Sequence, residues 1–263
     1  MTATTHGLRV TQRRVIHSEW IKFWSLRSTI ISLIAAAVVF IGIGLLAASI
    51  TSGGDGFGPR GGGPGDPTAI SLAGVTFGQL VLGTLGVLFM ASEYTTGMIR
   101  STLAAVPKRL PMLWAKAAVF TAVVSALTLI AAFVAFLGGQ AIIGTDGASL
   151  SDPGVIRAVV GSAVHLTGAG LLGLALGALL RSTAAAISTF FGVMFLLEGI
   201  AGLLLPDSWS DALRYLPSEA GSAISAVTTA PGELTPWAGL GVFLGYLVVV
   251  GGAAAWRLQR HDA

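Results

Sequence analysis

Six apolar stretches, each of about 20 residues or more and separated by short polar segments, constrain this chain more than any other feature. They cover residues 28–50, 70–91, 113–137, 155–180, 184–205 and 237–256. At ~1.5 Å per residue, ~20 helical residues cross the ~30 Å hydrocarbon core of a bilayer. Lipid offers no partner to exposed backbone N–H and C=O groups, so such crossings must be helices or closed barrels. Barrel strands alternate apolar and polar residues over ~10 positions, and these stretches do not alternate. Charged residues make up 10% of the chain and hydrophobic ones 54%, whereas a soluble domain carries roughly a quarter charged residues. The expected fold is all-α and integral to a membrane. It has six transmembrane helices, an N-terminal amphipathic interfacial helix and a short extracellular or re-entrant helix before the last span.

Lysine and arginine set the expected orientation. With the N-terminus in the cytoplasm and six crossings, 12 of the 15 Lys and Arg fall on the cytoplasmic side. Only Arg60, Arg157 and Arg214 fall outside, where Asp55, Asp66, Asp146, Asp152, Asp207, Asp211, Glu219 and Glu233 also lie. The positive-inside bias therefore predicts a multi-pass plasma-membrane protein with both termini cytoplasmic. The pI near 9.7 reflects bases that flank spans, as an anionic leaflet favours, and argues for a lipid rather than a nucleic-acid partner. With no cysteine, a disulfide framework or thiolate metal site is excluded. Residues 1–27 are polar and basic, and the first span outruns a ~7–15-residue signal-peptide core.

The chain divides into a cytoplasmic amphipathic segment at 1–27, a six-helix domain at 28–256 and a cytoplasmic tail at 257–263. The first segment mixes Ile16, Trp20, Ile21, Phe23 and Trp24 with Arg13, Arg14 and Lys22, which suits a helix lying at headgroup depth. The Gly/Pro-rich stretch 51–69 reads as a flexible loop, and no Gly-Lys-Ser/Thr follows it. Gly168-Ala-Gly-Leu-Leu-Gly173 matches the dinucleotide fingerprint in form only, since it lies inside a span. Close helix packing explains it better, as it does the small-xxx-small pairs Gly173/Gly177 and Gly241/Gly245. Residues 206–236 are too polar to span and carry Trp209, Leu213, Tyr215 and Leu216 at near-helical spacing, as in a short interfacial or re-entrant helix.

Catalytic signatures are missing. There is no HExxH, no GxSxG, no paired carboxylate and no histidine spacing that fits a metal. No active site, metal or cofactor is expected. Glu198 and His165 stand inside spans, where an ionisable group is costly and is by default a candidate for a translocation path. The loop after the second span is the richest cytoplasmic segment, combining Glu93, Tyr94, Gly97, Met98, Ile99 and Arg100. Acid, base and apolar side chains in one short loop fit docking to a cytoplasmic partner.

Several segments together resemble a known family. They are His17-Ser-Glu-Trp-Ile-Lys22 before the first span and Ser92-Glu-Tyr-Thr-Thr-Gly-Met-Ile-Arg100 with Pro107-Lys-Arg109 after the second. Leu174-Ala-Leu-Gly-Ala-Leu-Leu-Arg181, Arg214-Tyr-Leu-Pro217 and the ending Trp256-Arg-Leu-Gln-Arg260 complete the set. Over nearly its whole length the chain resembles a permease subunit of the ABC-2 type of ATP-binding-cassette transporters, in the style of high-GC Gram-positive bacteria. The resemblance implies an exporter permease for an amphipathic or hydrophobic molecule such as a drug, antibiotic or lipid-like compound. It implies a second permease subunit, the same or different, and two copies of a separate ATP-binding subunit. It also makes the N-terminal amphipathic segment a connecting helix, and the loop from Glu93 to Thr102 the coupling helix. Other classes compatible with the sequence are a membrane anchor or immunity protein that recruits a cytoplasmic partner, and a gradient-driven carrier.

Overall fold

The computed structural model describes residues 12–52, 65–95, 97, 109–204, 210–230 and 232–260, with the backbone alone at 109, 210 and 211. Helix α1 (Gln12–Ser25) precedes a one-residue break and the first long helix, α2 (Arg27–Ser52). It buries Val15, Glu19 and Phe23, which share one face at a spacing of four. Ile16, Trp20, Ile21 and Trp24 stay exposed, so the helix also keeps an apolar surface for the membrane interface.

The second crossing is built from two helices. Helix α3 (Pro67–Ser71) starts on Asp66, whose carboxylate accepts from the N–H groups of Thr68 (2.9 Å) and Ala69 (3.4 Å). Pro67 needs no such partner, which suits the first helical position. A turn over 72–74 leads into α4 (Val75–Thr95). Gln140 pins this break from α5 (Arg109–Ile143). Its Nε2 donates to the Pro67 carbonyl (2.9 Å) and Ser71 Oγ (3.0 Å), and its Oε1 accepts from Ala148 N–H (2.7 Å). At 35 residues, α5 is ~52 Å long and overruns the ~30 Å hydrocarbon core.

Helix α6 (Val155–Leu180) follows, then α7 (Thr183–Phe191), a π-helical stretch at Gly192–Leu196 and α8 (Leu197–Leu204). Two short helices, α9 (Ser210–Leu213) and α10 (Pro217–Ser222), and a 3-10 turn at Ala223–Ser225 precede the last long helix, α11 (Pro236–Arg260). Among the described residues six helical segments are long and apolar enough to cross a membrane. The protein is an all-α, multi-pass membrane bundle. The second and third segments, Pro67–Thr95 and Leu110–Asp146, outrun the apolar stretches at 70–91 and 113–137 at both ends.

Helix α6 is the centre of the bundle. Its most apolar stretch is 78% buried, against 17% for those of Thr183–Leu204 and of α11. Its tightest neighbour is α4, and glycine makes the contact. A Cβ at Gly173 would fall on the carbonyl oxygen of Gly83, and one at Gly86 on that of Gly170. The two backbones thus approach as only side-chain-free positions allow. Gly177 faces Val87 and Met90 at the same seam.

The segment before α11 dips into the bundle. Gly221 lies against His165 and Ile224 against Gly161, while Pro217, Ser218 and Ala220 are buried. His165 is ten residues into α6, so the dip reaches ~15 Å along that helix. Irregular backbone is tolerated at that depth because protein surrounds it.

Candidate functional site

The elements meet at the basic end of the bundle in a cluster of four charges, three of them buried and the fourth, Lys22, half-buried. Lys116, on the first turns of α5, lies 2.8 Å from Glu19 Oε2 on α1 and 2.9 Å from Glu93 Oε1 on α4. Lys22, one turn beyond Glu19, reaches Glu19 Oε1 at 3.0 Å and Glu93 Oε1 at 3.2 Å. Two carboxylates and two ammonium groups therefore neutralise one another across three helices. Glu19 and Lys116 are each 1% exposed and Glu93 is 6% exposed. Ions that far from water persist only when paired and hydrogen-bonded.

Beneath the cluster lies an aromatic floor. Phe89 sits 5.1 Å from Phe23 and 6.2 Å from Phe120, ring centre to ring centre. Lys116 Nζ stands 4.2 Å above the Phe89 ring and donates to the Phe89 carbonyl at 3.4 Å. The negative face of the ring adds to the hold on the cation. Burial pulls the Lys22 pKa down, but its hydrogen bonds and the charges of Glu19 and Glu93 outweigh that and hold it above the ordinary 10.5. A cavity of about 380 Å³ adjoins the cluster, with Ser25, Ser28, Thr29, Ser32 and Ser92 on its walls.

The residue after Glu93 is gripped from the other side. The Arg181 guanidinium stands 5.5 Å from the centre of the Tyr94 ring. Arg181 closes α6 in a left-handed conformation (φ 56°), its N–H bonded to the Gly177 carbonyl. A non-glycine residue there costs ~1–2 kcal/mol, and here the side chain it keeps is the one that covers Tyr94. Arg181 Nη2 donates to the carbonyl of Arg257 at 3.4 Å, and Arg257 in turn donates to the carbonyl of Leu179. The last turn of α4 is thus tied to α1 and α5 through Glu93 and to α6 and α11 through Tyr94.

Of the loop that follows, Gly97 is described. It is exposed, has φ 71° and would leave an added Cβ in open space, so backbone conformation rather than crowding favours glycine. Met98, Ile99 and Arg100 lie outside the described residues. His165 is 1% exposed, with Nε2 2.8 Å from Gln79 Oε1 and its ring 5.2 Å from Phe243. It packs within the bundle core. Glu198 is half-buried in the first turn of α8, directly after the π-helical stretch. Gly173 and Gly177 sit in the α4–α6 seam, whereas Gly241 and Gly245 face open space on α11.

Three residues that sequence reasoning did not place in a site belong to this one. Glu19 and Lys22 are in the segment before the first span, where they read as part of an amphipathic pattern. Lys116 lies inside the apolar stretch 113–137, so the rule that singles out Glu198 and His165 applies to it equally. Among the described residues, a cleft of about 440 Å³ between α5, α6 and α11 carries no charged residue on its walls. Its hydroxyls on Thr121 and Thr167 donate to carbonyls of their own helices, and Phe243 lines it. No model of a known protein family matches the chain, and no curated protein matches it.

Proposed function

We propose that this chain is the membrane-spanning permease subunit of an ABC-2 type exporter, moving an amphipathic or hydrophobic molecule with energy from a separate ATPase subunit. The observation that carries the reading is the four-charge cluster. It joins Glu19 and Lys22 of the first family-like segment to Glu93 of the second, across 71 positions of sequence. A docking loop is useful only if displacement of it moves the spans. Here the helix end that leads into that loop is fixed on both sides, so a push on the loop would be felt by α1, α5, α6 and α11 together. Two copies of the ATPase subunit would bind the loops of two permease subunits, with both termini on the cytoplasmic face. The uncharged cleft between α5, α6 and α11 suits a hydrophobic substrate. Transport then requires that the states with closed and open ATPase differ in their affinity for it.

Affinity purification in mild detergent tests the reading. An ATPase and a second permease should accompany the chain, and reconstituted ATPase activity should rise in its presence. Gly97→Val, at an exposed position of the docking loop outside the four-charge cluster, should abolish that stimulation at unchanged membrane level. A chain that purifies with no ATPase, or whose Gly97 variant stimulates fully, overturns the proposal in favour of a membrane anchor.

A further inference from the structure

The break between α1 and α2 borders the cavity of about 380 Å³ beside the four-charge cluster. Its volume is within the ~300–1,000 Å³ of small-molecule sites. Ser25, Ser28 and Thr29 line its polar side, with Ser32 one turn further along α2. Leu85 and Leu88 of α4 line its apolar side. Leu26 and Leu88, both on the wall, are 45% and 37% exposed, so the cavity meets the surface that the bundle presents to lipid.

The polar side holds two kinds of donor in need of an acceptor. The first is the start of α2, a helix of 26 residues. Thr29 N–H and Ile30 N–H both turn back to the Leu26 carbonyl, at 3.0 and 3.4 Å. The N–H groups of Arg27 and Ser28 come before them and have no carbonyl within the helix to reach. The second donor is the Thr29 hydroxyl. Thr51, Thr84, Thr121 and Thr128 each donate to the carbonyl four residues back in the same helix. Thr29, in the first turn, has no such carbonyl behind it. It is 3% exposed, lines the cavity and makes no side-chain hydrogen bond among the described residues. Buried hydroxyls are ordinarily paired, so this one calls for a partner from outside the chain.

We propose that this site binds the phosphate group of a phospholipid in the leaflet at the basic end of the bundle. The phosphate oxygens accept from the Arg27 and Ser28 N–H groups and from the Thr29 hydroxyl. The free N–H groups and the dipole of a helix start both favour an anion. Ser32 stands ~6 Å along α2 from Ser28, on the side towards the membrane core, where the glycerol esters of the same lipid would meet its hydroxyl. Leu85 and Leu88 then take the acyl chain. Glu93, also on the wall, is held through Oε1 by Lys116 and Lys22, so its charge is matched within the cluster. These donors read phosphate rather than the group esterified to it, and the ligand class is the phospholipid as such. The site stands independently of the transport reading, and its test needs no ATPase.

The full chain, purified in detergent and offered equal amounts of phosphatidylcholine, phosphatidylglycerol and diacylglycerol of identical acyl chains, is examined by native mass spectrometry. Both phospholipids should be retained ~10-fold over diacylglycerol, the value of one charge-assisted hydrogen bond. Thr29→Val, which keeps the shape and removes the hydroxyl, should lower phospholipid retention ~10-fold, and Thr29→Ser should restore it, with unfolding temperatures checked alongside. Equal retention of the three lipids by the unaltered chain overturns the proposal without recourse to any variant. Retention that survives Thr29→Val in folded protein overturns the location. Full displacement of the phospholipid by inorganic phosphate alone overturns the lipid as the source of the anion.

Discussion

The two ends of the bundle use their charges differently. At the basic end carboxylates and ammonium groups pair with one another across α1, α4 and α5. At the other end arginine reaches for backbone. Arg157 Nη1 donates to the Ile224 carbonyl at 3.1 Å and its Nη2 to that of Val227 at 3.4 Å, while Arg214 holds Gly232. Removing one member of a buried ion cluster leaves an uncompensated charge. Removing an arginine from carbonyls leaves only neutral acceptors. The first arrangement is a junction sensitive to composition, and the second is a strut. The strut also gives Arg157 and Arg214 work at the end where the charge bias expects few bases.

Lys116→Met should have the largest effect. It leaves Glu19 and Glu93 with Lys22 alone and should cost ~3–5 kcal/mol, seen as a lower unfolding temperature and less protein in membranes. Adding Glu19→Gln should recover most of the loss. A wild-type unfolding temperature for the single variant would remove the distinction between the two ends. Arg157→Met, at the strut, should cost only ~1–3 kcal/mol by the same measurement and leave ATPase stimulation intact. If it equals Lys116→Met, the contrast is broken.

Arg181→Gly sharpens the comparison within the basic end. It relieves a left-handed residue worth ~1–2 kcal/mol while uncovering Tyr94, so stability should hold or rise slightly as ATPase stimulation falls. Thermal unfolding and ATPase rate, measured on one preparation, separate the two effects. The smallest expected effect is that of alkali. Lys22 has a raised pKa, so its contribution is complete below 10.5 and is lost only as pH climbs through the higher value in the folded protein. The protection of α1 amides, taken as the ratio of intrinsic to observed exchange so that base catalysis divides out, should therefore be steady from neutral pH to ~10 and fall above it. A fall in α1 protection below pH ~9 would contradict the assignment.

Much of the fold was legible because hydrophobic length alone marks a crossing: five of the six stretches lie wholly within described spans, and 184–205 ends one residue past Thr183–Leu204, outside the described residues. The helix boundaries were less so, since α5 runs on through residues that composition does not separate from loop. The site was legible on one side. Glu93 and Tyr94 stood out in their loop, but Lys116 looked like one more flanking base, and nothing in a linear pattern announces that Glu19 will meet it. Glycine spacing had the opposite weakness. Gly173/Gly177 and Gly241/Gly245 are the same pattern, yet only the first pair meets another helix within the chain. Small residues permit an approach without specifying what approaches.

The glycine seam joins the second crossing to the fourth, which are not neighbours along the chain. After α4 is complete, a ribosome must add about 85 residues before α6 is, roughly 4–17 s at ~5–20 residues per second. Throughout that interval Gly83 and Gly86 stand in the membrane without the backbone they finally touch. The bundle therefore cannot close in order of synthesis from its first helix. Its most buried element arrives fourth, and truncated chains that end before it should be the ones that quality-control proteases recognise.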